Sequence, residues 1–255
     1  MSDFDRNYAA PRRGVGADRA VAIDQGLRAY MIRVYNYMAV GVALTGIVAW
    51  LAFQAAGGDA ITAGGRGGLT SFGQLVLSFP GQIGLFLGTL GLVFFISWRI
   101  DRLQPSTAFS LFMLYAALLG VMLCSIFVVY TGVSISRTFF ISAAAFGALS
   151  LYGYTTQRDL SPIGAFLIMG VIGIIIAMVV NMFLKSTQLD FIISAIGVLC
   201  FAGLTAYDTQ RIKEMYDPME DGTVVGRKAV MGALTLYLDF INLFLFLLRF
   251  LGDRR

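Results

Sequence analysis

The sequence predicts an all-α membrane protein with seven transmembrane helices, its N-terminus cytoplasmic and its C-terminus outside. Three observations carry this. Of 255 residues, 58% are hydrophobic and only 13% are charged, against roughly a quarter charged in an ordinary soluble domain. Mean hydropathy is +0.77, which leaves too little polar surface to coat a soluble globule. Finally, seven apolar runs are close to or above the roughly 20 residues that a helix needs to cross a bilayer.

Residues 1–30 are polar and carry Arg6, Arg12, Arg13, Arg19 and Arg28. They read as a disordered or interfacial cytoplasmic tail and not as a signal peptide. A transmembrane domain follows over residues 31–252, and 253–255 form a short tail. The first span is read from Val34 to Phe53. The next apolar run, Gly67–Trp98, is too long for one helix, and Pro80-Gly81 divides it, since proline breaks or kinks a helix. The second span is therefore placed at Ile83–Trp98. Gly57–Gly68 and Leu69–Phe79 become an extramembrane loop with an interfacial segment; an eighth span there is the lesser reading.

The later charge-free runs are Pro105–Ser136, Thr138–Gln157, Leu160–Leu184 and Phe191–Tyr207. The sixth helix is expected to run on to about Met215, because no breaker precedes Asp217-Pro218. The seventh, Ala229–Leu248, is interrupted by one acid, Asp239. Gly84 with Gly88, and Ala143 with Gly147, are small-xxx-small pairs of the kind that let helices approach closely in lipid.

Orientation follows the Lys and Arg residues, which favour cytoplasmic loops. With the N-terminus inside, 13 of the 19 basic residues fall on the cytoplasmic side and 6 on the other. Arg254-Arg255 is the one feature pulling the other way. The net charge of +4 needs no nucleic-acid partner, because no dense basic run with interleaved aromatics is present. Cys124 and Cys200 both sit in apolar runs, so no disulfide framework is expected. The chain has no histidine, which argues against zinc, haem and iron–sulfur sites. No cofactor is expected beyond a calcium ion as ligand or permeant species, since any metal here must be held by oxygen.

An ionisable group inside a span costs at least about 2.5 kcal/mol on insertion scales, and so marks a functional site. Asp239 is the clearest case. At helical spacing it shares a face with Gly232, Thr235 and Asn242, a small, polar stripe expected to look into the bundle. Asp208, after the apolar run of the sixth span, is the second. Thr205 lies one turn before it. With that helix running to Met215, Asp208 stands about 10 Å inside its end, and Asp239 about 15 Å inside the seventh, at about 1.5 Å per residue. These spans are antiparallel neighbours, so the carboxylates are expected at similar depths. Two such groups in a low-dielectric site are expected to share a proton. Deprotonated, Asp208 and Asp239 also offer oxygen ligands to calcium, with Thr205, Thr235 and Asn242 as supporting polar groups. Arg99, closing the second span, is the candidate latch: it would pair with the carboxylates when closed and release them on protonation or cation arrival. The acidic loop Asp217–Gly222 lacks the ligand spacing of an EF-hand and reads as a solvated turn.

The segments Ala206-Tyr-Asp-Thr-Gln-Arg-Ile-Lys213 and Leu236-Tyr-Leu-Asp-Phe-Ile-Asn-Leu-Phe244, with Val34-Tyr-Asn-Tyr-Met38, resemble the signature segments of the Bax inhibitor-1 family. The resemblance covers about residues 30–252. It implies one central helix surrounded by the others, and a pH-regulated calcium leak. It also implies that Asp208 and Asp239 match the family's paired aspartates and Arg99 its second-span arginine. Some members carry a glutamate deeper in the second span, whereas Gly84–Trp98 here has no acid. The Arg- and Gly-rich N-terminus looks like that of bacterial members, which implies a bacterial inner membrane.

The expected function is thus a pH-regulated calcium or other cation leak channel, not an enzyme, working with protons or calcium within the lipid bilayer. The first alternative is an interaction protein that modulates a membrane protease or a stress or cell-death pathway through a membrane-protein partner. The lesser one is an intramembrane aspartyl protease. That chemistry also uses two aspartates on consecutive spans, but it needs Gly-x-Gly-Asp, and Tyr237-Leu238-Asp239 has no glycine before it.

Overall fold

The computed structural model describes residues 14–64 and 68–255. Every regular element among them is helical, and seven helices are long and apolar enough to cross a bilayer. Helix α1 (Gly14–Ala56) contains the first span and continues it backward, so the polar segment from Gly14 to Tyr30 belongs to the same helix. The tail before Gly14 lies outside the described residues. α1 stops where Gly57 and Gly58 take φ of 132° and 52°, a region that glycine enters without strain.

The Gly-rich loop holds two short helices, α2 (Asp59–Gly64) and α3 (Ser71–Leu77). α4 (Phe79–Arg99) then begins earlier than the Pro80-Gly81 pair suggested. The proline lies in the first turn, where its missing N–H costs nothing. Ser78 caps that turn by accepting from the Gly81 N–H at 3.1 Å. After a 3₁₀ turn at Ile100–Arg102 come α5 (Pro105–Leu123) and α6 (Ser125–Val129), which divide the third run. They are followed by α7 (Gly132–Thr155), α8 (Ser161–Leu184), α9 (Thr187–Glu214) and α10 (Gly222–Leu251). α9 thus runs on to Glu214, as the missing breaker required. Asp221 closes the acidic loop as the N-cap of α10, accepting from the Thr223 N–H. Glu220, beside it, is half-buried and pairs with Lys228 at 2.6 Å, so this turn is not wholly solvated.

The bundle is built around α10, which packs against α9, α1, α7 and α5. Along its apolar stretch 72% of its residues are buried, against 11% for α4 and for α8. The two peripheral helices show Phe86, Phe94, Ile172 and Ile176 outward, as lipid-facing surfaces require. The small-xxx-small pairs do not mark the close crossings. A Cβ added at Gly84, Gly88 or Gly147 meets nothing within 4 Å, because those faces look outward. The tight approaches are Gly153 of α7 on the Ala206 carbonyl of α9, and Gly120 of α5 on the Thr45 carbonyl of α1. Cys124 and Cys200 are buried and free.

Candidate functional site

Because α10 is packed by α9, α1, α7 and α5, a polar residue halfway along it is surrounded mostly by protein. Asp239 is 5% exposed. Asp208 faces it from α9, half-buried, with the two carboxyl groups within hydrogen-bonding reach. Two ionised carboxylates have no proton to donate to each other. Accordingly Asp239 Oδ2 is buried with no donor; a proton on either carboxyl group would supply one. The sequence expectation that these side chains meet inside the bundle corresponds to the observed arrangement of α9 and α10.

The supporting polar groups are turned along their own helices. Thr205 donates to the Phe201 carbonyl at 2.8 Å, Thr235 to Met231 at 3.1 Å, and the Asn242 amide to Leu238 at 2.9 Å. Their side-chain oxygens remain as acceptors. Arg99 is exposed at the end of α4, its guanidinium 5.9 Å from the Trp98 ring centroid. Among the described residues it makes no ion pair. Arg211, exposed one turn further along α9, is the basic residue placed to act on Asp208, without forming an ion pair with it.

Two cavities lie toward opposite ends of the bundle. One, about 580 Å³, is bounded by α6, α8, α9 and α10 and includes Asn242, one turn from Asp239. The other, also about 580 Å³, lies between α1 and α7 and is lined by Arg28, Met31, Tyr35, Ser150 and Tyr154. From it a chain of hydroxyls leads inward. Tyr35 Oη lies 2.7 Å from Ser150 Oγ, which lies 2.9 Å from Thr209 Oγ1, next in sequence to Asp208. Phe201 and Phe246, stacked at 5.6 Å, line the first cavity from α9 and α10.

The family model described as inhibitor of apoptosis-promoting Bax1 matches residues 27–255. The chain belongs to the Bax inhibitor-1 family. It is 46% identical to the Escherichia coli inner membrane protein YbhL over 244 residues, covering 94% of this chain and 97% of that protein. A Rickettsia prowazekii protein is also 46% identical, over 91% of this chain and 92% of its own length. A Streptococcus pyogenes membrane protein is 34% identical, over 90% of this chain and 94% of its own. With its seven spans, this Bax inhibitor-1 family member is a multi-pass protein of the inner membrane.

Part of this family member's candidate site was not legible in the sequence. Arg211 looks like any basic residue at a membrane edge. The hydroxyls of Tyr35, Ser150 and Thr209 come from three helices and only the fold brings them together. Among the described residues no three His, Cys, Asp or Glu side chains gather. The aspartate pair therefore offers at most four carboxylate oxygens, short of the six to eight that calcium takes.

Proposed function

We propose that this protein is a pH-regulated cation leak of the inner membrane, with calcium as the permeant ion and Asp208–Asp239 as its proton sensor. The observation that supports this reading is the buried carboxyl pair, with one cavity reaching Asn242, a turn from Asp239, and the other reaching Ser150, whose hydroxyl meets Thr209 beside Asp208. With a proton held between them, the side chains bridge α9 to α10 across the route. Loss of that proton leaves two negative charges close together, which repel each other and attract a cation. Arg211, which already acts on Asp208, fits the part of the countercharge that a cation must displace. In this orientation the end bearing most of the basic residues is cytoplasmic.

The test is calcium flux into liposomes carrying purified wild-type, Asp208→Asn and Asp239→Asn protein, measured across the physiological pH range. A pH-dependent flux in the wild type that flattens in both variants supports the reading. An unchanged pH response in both rejects it.

A further inference from the structure

The cavity between α6 and α8 has chemistry that cation passage does not use. Its walls are apolar, formed by Ile126 of α6, Ile175 and Met178 of α8, and Phe201 and Phe246 on its floor. Its volume of about 580 Å³ lies within the roughly 300–1,000 Å³ of small-molecule sites. The cleft faces sideways as well as along the bundle: Ile175 is 51% exposed and Val129 is 44% exposed. α8 packs chiefly against α9, so the wall it forms opposite α6 is open to the acyl region that the spans cross.

The mouth of this cleft is cationic. Arg249, in the last turn of α10, and Arg254 both line it. They share a single acidic partner, Asp190 of α9, at 3.6 Å and 3.3 Å. Two guanidinium groups on one carboxylate leave one positive charge uncompensated. Arg254 also engages Tyr130, but the donors of Arg249 are underused: its Nη1 points at the Met178 thioether at 3.7 Å, and sulfur is a weak acceptor. A guanidinium offers five N–H donors in a planar fork that matches a phosphate group.

We infer that this cleft seats an anionic phospholipid, one acyl chain lying between α6 and α8 and the phosphate held by Arg249 and Arg254. A soluble anion has no use for apolar walls, and a zwitterionic lipid leaves the excess charge unanswered. The cleft is the same cavity that reaches Asn242 near the pair, but lipid binding is read without any flux measurement, so failure of either reading is distinguishable from failure of the other.

The charge count sets up the test. The full chain is placed in phosphatidylcholine bilayers with trace spin-labelled phosphatidylglycerol or spin-labelled phosphatidylcholine. The motionally restricted signal gives the preference for the anionic lipid. With one net positive charge at the mouth, and each cationic residue near a membrane surface contributing about fivefold in affinity for anionic lipid, the wild type prefers phosphatidylglycerol by about fivefold. Arg249→Gln or Arg254→Gln removes that preference. Asp190→Asn raises it by about a further fivefold, a gain that misfolding cannot produce. Ile175→Trp, which fills the cleft from its lipid-facing wall, lowers the restricted signal of both lipids. The inference is overturned if both Arg variants keep the wild-type preference, if Asp190→Asn fails to raise it, or if Ile175→Trp leaves both signals intact. It is equally overturned if inorganic phosphate in the buffer abolishes the preference, since that identifies a soluble-anion site.

Discussion

Asp239 of α10 and Asp208 of α9 meet in the interior with their carboxyl groups in hydrogen-bonding reach, and Asp239 Oδ2 has no other donor. The pair therefore links two helices, and on the proposed reading it also titrates; substitutions separate the two roles. Asp239→Asn can donate its amide to Asp208 without a shared proton, so the protein keeps its thermal stability while flux loses its pH response. Asp239→Ala strands the half-buried Asp208 and is expected to cost about 1–3 kcal/mol. Thermal unfolding in detergent, read beside flux, distinguishes them; equal melting of the Asn and Ala variants would show that the link contributes no stability.

Arg211 acts on Asp208, whereas Arg99 is exposed beside Trp98. Arg211→Gln is therefore expected to shift the pH midpoint of the flux. Arg99→Ala should leave it unmoved unless α4 swings inward during opening. A shifted midpoint for Arg99→Ala with none for Arg211→Gln would reassign the countercharge to α4.

Most of the fold was legible because lipid imposes one rule on a span: the seven apolar runs had to be helices. The acidic pair was legible for the same reason, an acid within such a run being costly wherever it does not find a partner. What could not be read was which helix lies at the centre. Lipid-facing α8 is among the least buried spans, because a helix surrounded by hydrocarbon must be apolar all round. Central α10 can carry Thr235, Asp239 and Asn242 because protein encloses it. Pro80 was misleading for a local reason: proline disrupts a helix interior but is tolerated in a first turn, and only the Ser78 cap reveals which applies.

The α1–α5–α10 junction makes an asymmetric prediction. Thr45 Oγ1 is buried within reach of the Gly41 and Ala116 carbonyls at 3.0 and 2.9 Å and of Tyr237 Oη at 2.6 Å. Having one proton, it donates to a carbonyl and accepts from Tyr237. Tyr237→Phe removes a donor that Thr45 can do without, at about 1 kcal/mol. Thr45→Val leaves the Tyr237 hydroxyl without this partner in the interior, at about 1–3 kcal/mol. Unfolding midpoints in which the Phe variant is the less stable would show that the tyrosine hydroxyl has a second role.

Glycine substitutions test where the bundle is closed. Gly153 of α7 lies against the Ala206 carbonyl of α9, two residues before Asp208, and an added Cβ meets backbone that cannot step aside. Gly153→Ala is expected to force α7 from α9 at a cost of about 1–3 kcal/mol, as overpacking does elsewhere. The displacement should reach the pair through α9, changing flux as well as stability. Gly84→Ala on α4, with open space around its Cβ, should stay within about 0.5 kcal/mol of the wild type and leave flux unchanged. Were Gly84→Ala the more damaging, its face of α4 would have to be covered by a second protein in the membrane, because lipid alone accommodates a methyl group there.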